Sequence, residues 1–75
     1  MNSMKKEARK RLREATRTEF EYLIYGAMLT KEQEKIIRLH IADGLPVCSI
    51  AMQMNYSDAL VRKRLSEAYR KIAKV

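Results

Sequence analysis

Helix-breaking residues are scarce in this 75-residue chain, which has one proline and two glycines. Sheets of short strands need frequent turns rich in those residues, so long helices fit the sequence better. The single cysteine, Cys48, excludes an internal disulfide. No secretory signal and no run of about 18 apolar residues is present, which argues against export and against a membrane span. We therefore predict one cytoplasmic domain with an all-α fold.

Catalytic and metal-binding patterns are missing as well. His40 and Cys48 lie eight positions apart and fall on different predicted helices. His40 and Asp43, three apart on one helix, are more typical of a local hydrogen bond than of a catalytic base. The chain has no quartet of metal ligands and no glycine-rich phosphate loop. We expect neither an enzyme nor a bound cofactor.

Positive charge is concentrated at the two ends of the chain, which carries a net charge of +7. Residues 1–17 hold seven Lys and Arg against two Glu, and residues 55–75 hold six against two acidic residues. The residues between hold three against five. Phosphate contacts supply most non-specific affinity for nucleic acid, so this clustering favours a nucleic-acid partner over a pair of solvated helix faces.

A basic N-terminal helix is predicted over 4–28, within a segment 1–28. Its apolar residues recur at three- to five-residue steps and are Ala8, Leu12, Ala15, Phe20, Leu23 and Ala27. The part of this face around Leu12, Phe20 and Leu23 is either a dimer surface or packing against the other helices. The cations predicted to contact phosphate here are Lys5, Lys6, Arg9, Lys10 and Arg13.

A second helix is predicted over 31–43. Thr30 is its N-cap, and Gln33 lies at the spacing that completes a capping box. Gly44 follows as the residue that ends the helix in a left-handed conformation. Two further helices follow, so the expected fold has four.

The third and fourth helices are predicted over 47–54 and 58–74. Asn55 tolerates the left-handed backbone of a sharp turn, and Ser57 is a good N-cap for the last helix. The apolar stripe of the last helix is Val61, Leu65, Ala68 and Ile72. A short helix, a tight break and a longer cationic helix are the layout of a helix-turn-helix, whose second helix enters the DNA major groove. Segment 29–75 is therefore predicted as the DNA-binding unit of the single domain.

Base reading requires polar, long or small side chains near the start of the recognition helix. Arg62 suits a bidentate contact with guanine, and Lys63 suits a guanine or a phosphate. Ala59 suits a thymine methyl group, whereas Asp58 either accepts from cytosine or satisfies the helix dipole. The remaining predicted interface residues are Ser57, Arg64, Arg70 and Lys71, of which the three cations are placed for phosphates or solvent.

The stretch from Leu29 to Ile72 resembles the fourth conserved region of the sigma-70 family, the C-terminal promoter-reading region of bacterial sigma factors. The string Ile-Ala-x-x-Met-Asn-Tyr-Ser is most similar to small sigma-like regulators of phages and mobile elements. The LuxR-type DNA-binding domain shares much of the pattern but usually ends its recognition helix sooner. The residues that carry the resemblance are Leu29, Ile36-Ile37, Gly44-Leu45-Pro46, Ser49-Ile50-Ala51, Met54-Asn55-Tyr56-Ser57 and Val61-Arg62-Lys63-Arg64-Leu65.

The resemblance implies a sequence-specific, double-stranded DNA-binding regulator of transcription. Ser49, Pro46 and Asn55 stand where the family usually has Glu, Ser and Gly. No segment resembles the region that reads the −10 element, so we do not expect a complete sigma factor. Because the family region also docks on RNA polymerase, the alternative is an adaptor that binds polymerase or another regulator with little DNA contact.

Several further side chains have two interpretations. Tyr22 and Tyr25 form either an exposed aromatic ridge or a cap on the small core. Met28, Met52 and Met54 are predicted as core filler, and Cys48 as a partly buried structural thiol rather than an oxidant sensor. A single module makes few base contacts, so useful specificity suggests a homodimer or a second DNA-bound partner. A membrane-surface role for the N-terminal helix needs its apolar face to be free.

Overall fold

The computed structural model describes the backbone of residues 2–75 and the side chains from Lys5 onward. Every regular element in that part of the chain is helical, so the predicted all-α class is confirmed. These elements are α1 (Asn2–Glu14), α2 (Arg17–Ala27), α3 (Lys31–Ile37), a π-helical segment (Arg38–Ala42), α4 (Val47–Met54) and α5 (Asp58–Ala73). The described residues thus hold five α-helices where the sequence predicts four helices.

The extra helix arises because the segment predicted as one helix over 4–28 is divided at Ala15 and Thr16. The Thr16 hydroxyl accepts from the Glu19 backbone N–H at 3.2 Å, and Glu19 Oε1 accepts from the Thr16 N–H at 2.9 Å. This is a complete capping box, which starts a new helix by satisfying backbone donors that a helix end leaves free. The prediction of one helix is wrong because it follows the apolar periodicity across a strong local cap.

The second predicted helix begins as expected. The Thr30 hydroxyl accepts from the Gln33 N–H at 3.1 Å, and Gln33 Oε1 accepts from the Thr30 N–H at 3.1 Å, so this capping box is confirmed. After α3 the backbone widens into the π-helical segment, where the Asp43 N–H bonds to Arg38 O at 3.1 Å. Gly44 then takes φ +70°, a left-handed conformation that costs glycine little. The chain turns there toward α4.

The α4–α5 pair matches the predicted boundaries within a residue. Asn55 ends α4 with φ 58°, and its N–H bonds back to Met52 O at 3.4 Å. The Ser57 hydroxyl accepts from the Leu60 N–H at 3.1 Å and so caps α5. The left-handed backbone at Asn55 and the cap formed by the Ser57 side chain are therefore as predicted.

Helix α5 lies at the centre and contacts each of the other four α-helices. Its predicted stripe is buried, with Val61, Ala68 and Ile72 fully inaccessible. Ala8 and Leu12 of α1 and Phe20 and Leu23 of α2 are buried in the same core. Their packing is intramolecular, so the alternative of a dimer surface around Leu12, Phe20 and Leu23 is wrong. The apolar face of α1 is likewise not free to lie on a membrane.

Several exposed side chains depart from the predictions. Cys48 is exposed rather than partly buried. Met28 and Met52 are 82% and 83% exposed, so the prediction of core filler is wrong for both, whereas Met54 is partly buried. Met52 lies about half a turn around α4 from the buried Ile50, and Met28 projects from the left-handed end of α2, so neither faces the core.

Candidate nucleic-acid interface

The basic run Arg62-Lys63-Arg64 points in three different directions from α5. Successive residues of an α-helix are turned by about 100° around its axis, so neighbours cannot share a face. Arg62 lies toward α1, Lys63 lies opposite the buried stripe, and Arg64 lies toward α3. The three cations predicted together from the sequence therefore belong to three different environments.

Arg62 faces a groove between α5 and α1. The groove has a volume of about 470 Å³ and is bordered by Lys5, Lys6 and Arg9 of α1 as well as by Arg62. Lys5 donates from Nζ to Ser66 Oγ at 2.5 Å, which ties the start of α1 to α5. Cations from both ends of the sequence thus meet at one place. Clustered like charges in a groove raise the local concentration of anions.

Two side chains at the edge of this groove were not predicted as part of a site. His40 borders it from the π-helical segment, and its Nδ1 lies 2.8 Å from the Leu45 carbonyl oxygen. A carbonyl only accepts, so Nδ1 is the nitrogen that carries a proton in this contact. Tyr69 lines the groove with its hydroxyl buried and without a partner in the described chain. Burial raises the pKa of Tyr69, so the phenol stays neutral.

The outward face of α5 carries Ala59, Lys63 and Arg70, and Lys74 follows as the residue that ends the helix; all four are exposed. They follow at spacings of four, seven and four residues, which keeps them on one side of a helix. Among the described residues, none of these three cations is in an ion pair with an acidic side chain. Lys74 was not predicted as a site residue, although its position four residues after Arg70 could have indicated it.

Arg64 is used inside the fold. Its Nε donates to Glu32 Oε1 of α3 at 2.6 Å, and its Nη1 lies 3.2 Å from Glu67 Oε1. The Tyr56 hydroxyl donates to the other oxygen of Glu32. The Tyr56 hydrogen bond, together with Arg64, holds the pKa of Glu32 below its ordinary range. Arg64 is therefore less available to phosphate than its sequence position suggests.

Lys71, like Arg64, makes its contacts inside the fold. Its Nζ donates to Gln33 Oε1 at 2.8 Å, and Gln33 Nε2 donates to Glu67 Oε1 at 3.3 Å. The hydrogen bond from Gln33, more than the charge of Arg64, lowers the pKa of Glu67. One capping residue, Gln33, thus also anchors α3 to α5. The polar network leaves Lys71 only partly exposed.

The other predicted residues lie beside the groove that Arg62 borders or at the start of α5. Lys10 and Arg13 are exposed on the side of α1 that also carries Lys6 and Arg9. Asp58 is exposed in the first turn of α5, where a carboxylate suits the helix dipole. Ser57 has its hydroxyl engaged in the cap and is held at the start of the helix.

A larger depression of about 800 Å³, which His40 also borders, lies between α1, α2 and residues 42–46. It is bordered by Arg13, Arg17 and Arg38. Both Nη groups of Arg38 donate to the carboxylate oxygens of Glu21 at 2.7 Å. Arg38 is therefore already matched by an acidic partner, whereas Arg13 and Arg17 lie in none of the ion pairs of the described chain. The smaller groove beside α5 is the better anion site because four cations and no acidic side chain border it.

Features of two other kinds of site are missing from the described residues. No group of three or more His, Cys, Asp or Glu side chains there is arranged to hold a metal ion. None of the helices in that part of the chain is long and apolar enough to cross a membrane. Comparison of the chain with protein-family models, with curated proteins and with solved structures finds no match.

Proposed function

We propose that this protein binds double-stranded DNA sequence-specifically and regulates transcription. In this proposal α4, the bend at Asn55 and α5 act as a helix-turn-helix, with α5 in the major groove and α4 across its back. The supporting features are the tight turn, the Ser57 cap and the exposed cations on the side of α5 that faces away from the core.

The observation that carries the proposal is the meeting of two distant basic segments. Lys5, Lys6 and Arg9 border the same groove as Arg62, more than fifty residues later in the chain. The acidic residues Glu32 and Glu67 are instead paired on the opposite flank of α5. A continuous cationic surface on one side suits a phosphate backbone, which carries one charge per about 1.7 Å of duplex axis.

The structure suggests a division of roles that differs from the one predicted from sequence. Lys63 and Ala59 lie on the outward face of α5 near its start, the part of a recognition helix that approaches base edges. Arg62 lies on the flank beside the α1 cations, where it suits a phosphate better than a guanine. Arg70, two turns further along, also suits a phosphate. We therefore assign base reading to Lys63 and Ala59.

Binding titrations against a selected duplex and against random duplexes test these roles. We expect Lys63→Ala to relax base preference, with a loss of about 1–3 kcal/mol on the selected site only. We expect Arg62→Ala to weaken binding to all duplexes alike and to reduce the salt slope by about one phosphate contact. Lys35→Ala is the matched control, because Lys35 is exposed on α3 and does not border the groove of Arg62.

The opposite pattern, with base preference lost in Arg62→Ala and kept in Lys63→Ala, would reverse the assignment. Absence of binding to any duplex at low salt would reject DNA binding altogether. The adaptor function would then be favoured, and capture of purified RNA polymerase by the immobilised chain would be its direct test.

A further inference from the structure

Three large apolar side chains form an exposed ridge along the outer side of α2 and its end. Tyr22, Tyr25 and Met28, the aromatic ridge from here on, are 68%, 86% and 82% exposed and follow one another at three-residue steps. Tyrosine side chains bury about 150–250 Å² each when fully covered, so the aromatic ridge presents roughly 400 Å² per chain. Contiguous patches of this size on a small protein are often functional.

Met28 makes the aromatic ridge more unusual. It ends α2 in the left-handed region, with φ 52°, where glycine or asparagine is the unstrained choice. Its side chain gains little from the fold in return, because it is exposed. A strained position that projects an apolar side chain toward solvent indicates a role for that side chain outside the folded chain.

A shallow groove of about 430 Å³ lies beside the aromatic ridge, between α1 and α2. It is bordered by Tyr22 and by charges of both signs, namely Arg11, Glu14 and Glu19. A two-fold interface uses the same patch on both partners and must therefore be self-complementary. A projecting apolar ridge next to a groove with one cation and two carboxylates meets that requirement.

We infer that a second copy of this chain docks on the aromatic ridge, forming a two-fold dimer. The charges of both signs beside Tyr22 favour a second copy at this place. Two copies of net charge +7 repel each other, and the cations around Arg9 and Arg62 make a face-to-face approach there unfavourable. Around Tyr22, Arg11 of one copy can instead approach Glu14 or Glu19 of the other. The inference is independent of DNA binding.

The size of the patch sets the expected strength. Two ridges with their flanking residues bury on the order of 1,000 Å² in total, which is near the lower limit for a specific interface. Hot-spot residues are enriched in Tyr, which makes Tyr22 and Tyr25 the main expected contributors. We therefore expect a weak, concentration-dependent dimer with a dissociation constant on the order of 10–100 µM.

Sedimentation equilibrium of the full chain without DNA, from about 1 µM to about 1 mM, is the test. We expect the mass to rise from 8.8 kDa toward twice that value. The double variant Tyr22→Ser, Tyr25→Ser should weaken the dimer at least about tenfold. Met28→Ser should weaken it too, whereas Met52→Ser, a change of an equally exposed methionine on α4, should leave it unaltered.

Two results would overturn the inference. One is a wild-type chain that stays at its monomer mass over the whole concentration range, which would mean that the aromatic ridge contacts a different protein. The other is a dimer that both ridge variants leave intact. Met28→Gly separates folding from docking, because it relieves the left-handed strain while removing the side chain. It should raise the unfolding midpoint at monomeric concentrations and still weaken the dimer.

Discussion

Arg64 of α5 reaches Glu32 of α3, with 2.6 Å between Nε and Oε1. The basic run that ends at Arg64 thus contains one cation that holds two helices together, next to Lys63, which points to solvent. Both side chains carry the same charge and both follow the Ser57 cap. Their difference comes only from the helical turn between them, which brings one beside α3 and leaves the other opposite the core.

This difference predicts that neighbouring alanine substitutions act on different properties. Arg64→Ala should lower the thermal unfolding midpoint by several degrees, because it removes the ion pair and leaves Glu32 with fewer partners. Lys63→Ala should leave the midpoint nearly unchanged, since its side chain is exposed and lies in none of the ion pairs of the described chain. Circular dichroism melts of the two variants at equal concentration would show this. Equal midpoints would mean that the Arg64–Glu32 pair adds nothing to stability.

The same contacts predict a loss of stability in acid. Hydrogen bonds from Tyr56 to Glu32 and from Gln33 to Glu67 hold the pKa of both carboxyls below the ordinary value of 4.5. A carboxyl whose pKa is lower in the folded state stabilises the fold above its unfolded pKa, and this contribution is lost as the pH falls through the folded pKa. Urea unfolding should therefore show constant stability from neutral pH down to about 5 and a decline below that.

Glu32→Gln supplies the control for that pH profile. Glutamine keeps the shape of the side chain but does not titrate, so the variant should be less stable at neutral pH and should decline less steeply in acid. At the alkaline end, the hydrogen bond to Glu32 raises the pKa of Tyr56 above 10.0. The stability that the Tyr56–Glu32 hydrogen bond contributes should therefore be lost as the pH rises through the raised pKa of Tyr56. If Glu32→Gln loses stability in acid as steeply as the wild type does, Glu32 is not a source of the acid-dependent loss of stability.

The α4–α5 half of the fold could be predicted from sequence because its signals are local. Asn55 and Ser57 act on backbone groups within four residues of themselves, and the stripe from Val61 to Ile72 needs only the helical repeat. The cationic groove could not be predicted in this way. Lys5 meets Ser66 across 61 positions, and no periodicity indicates which face of α1 lies against α5.

The orientation of the basic run could have been inferred from the stripe itself. Once Val61 and Leu65 are buried, the helical repeat places Lys63 on the far side and Arg62 on a flank. Exposure of Met28 could not be inferred, because the sequence alone does not show that α2 ends there in a left-handed residue. Apolar composition predicts burial in general but not which apolar residues the core leaves out.

The break between α1 and α2 gives a last prediction, on the side chain that creates it. Thr16→Ala should destabilise the fold by about 1 kcal/mol, because it removes the acceptor for the Glu19 N–H and half of the capping box. Thr18→Ala is the matched control. Thr18 is exposed inside the first turn of α2, where alanine favours the helix by a few tenths of a kcal/mol. Urea unfolding of both variants measures the difference, and faster amide exchange across Arg17–Glu21 in Thr16→Ala would place the loss at this cap. Equal stabilities would show that the two helices are divided by tertiary packing and not by Thr16.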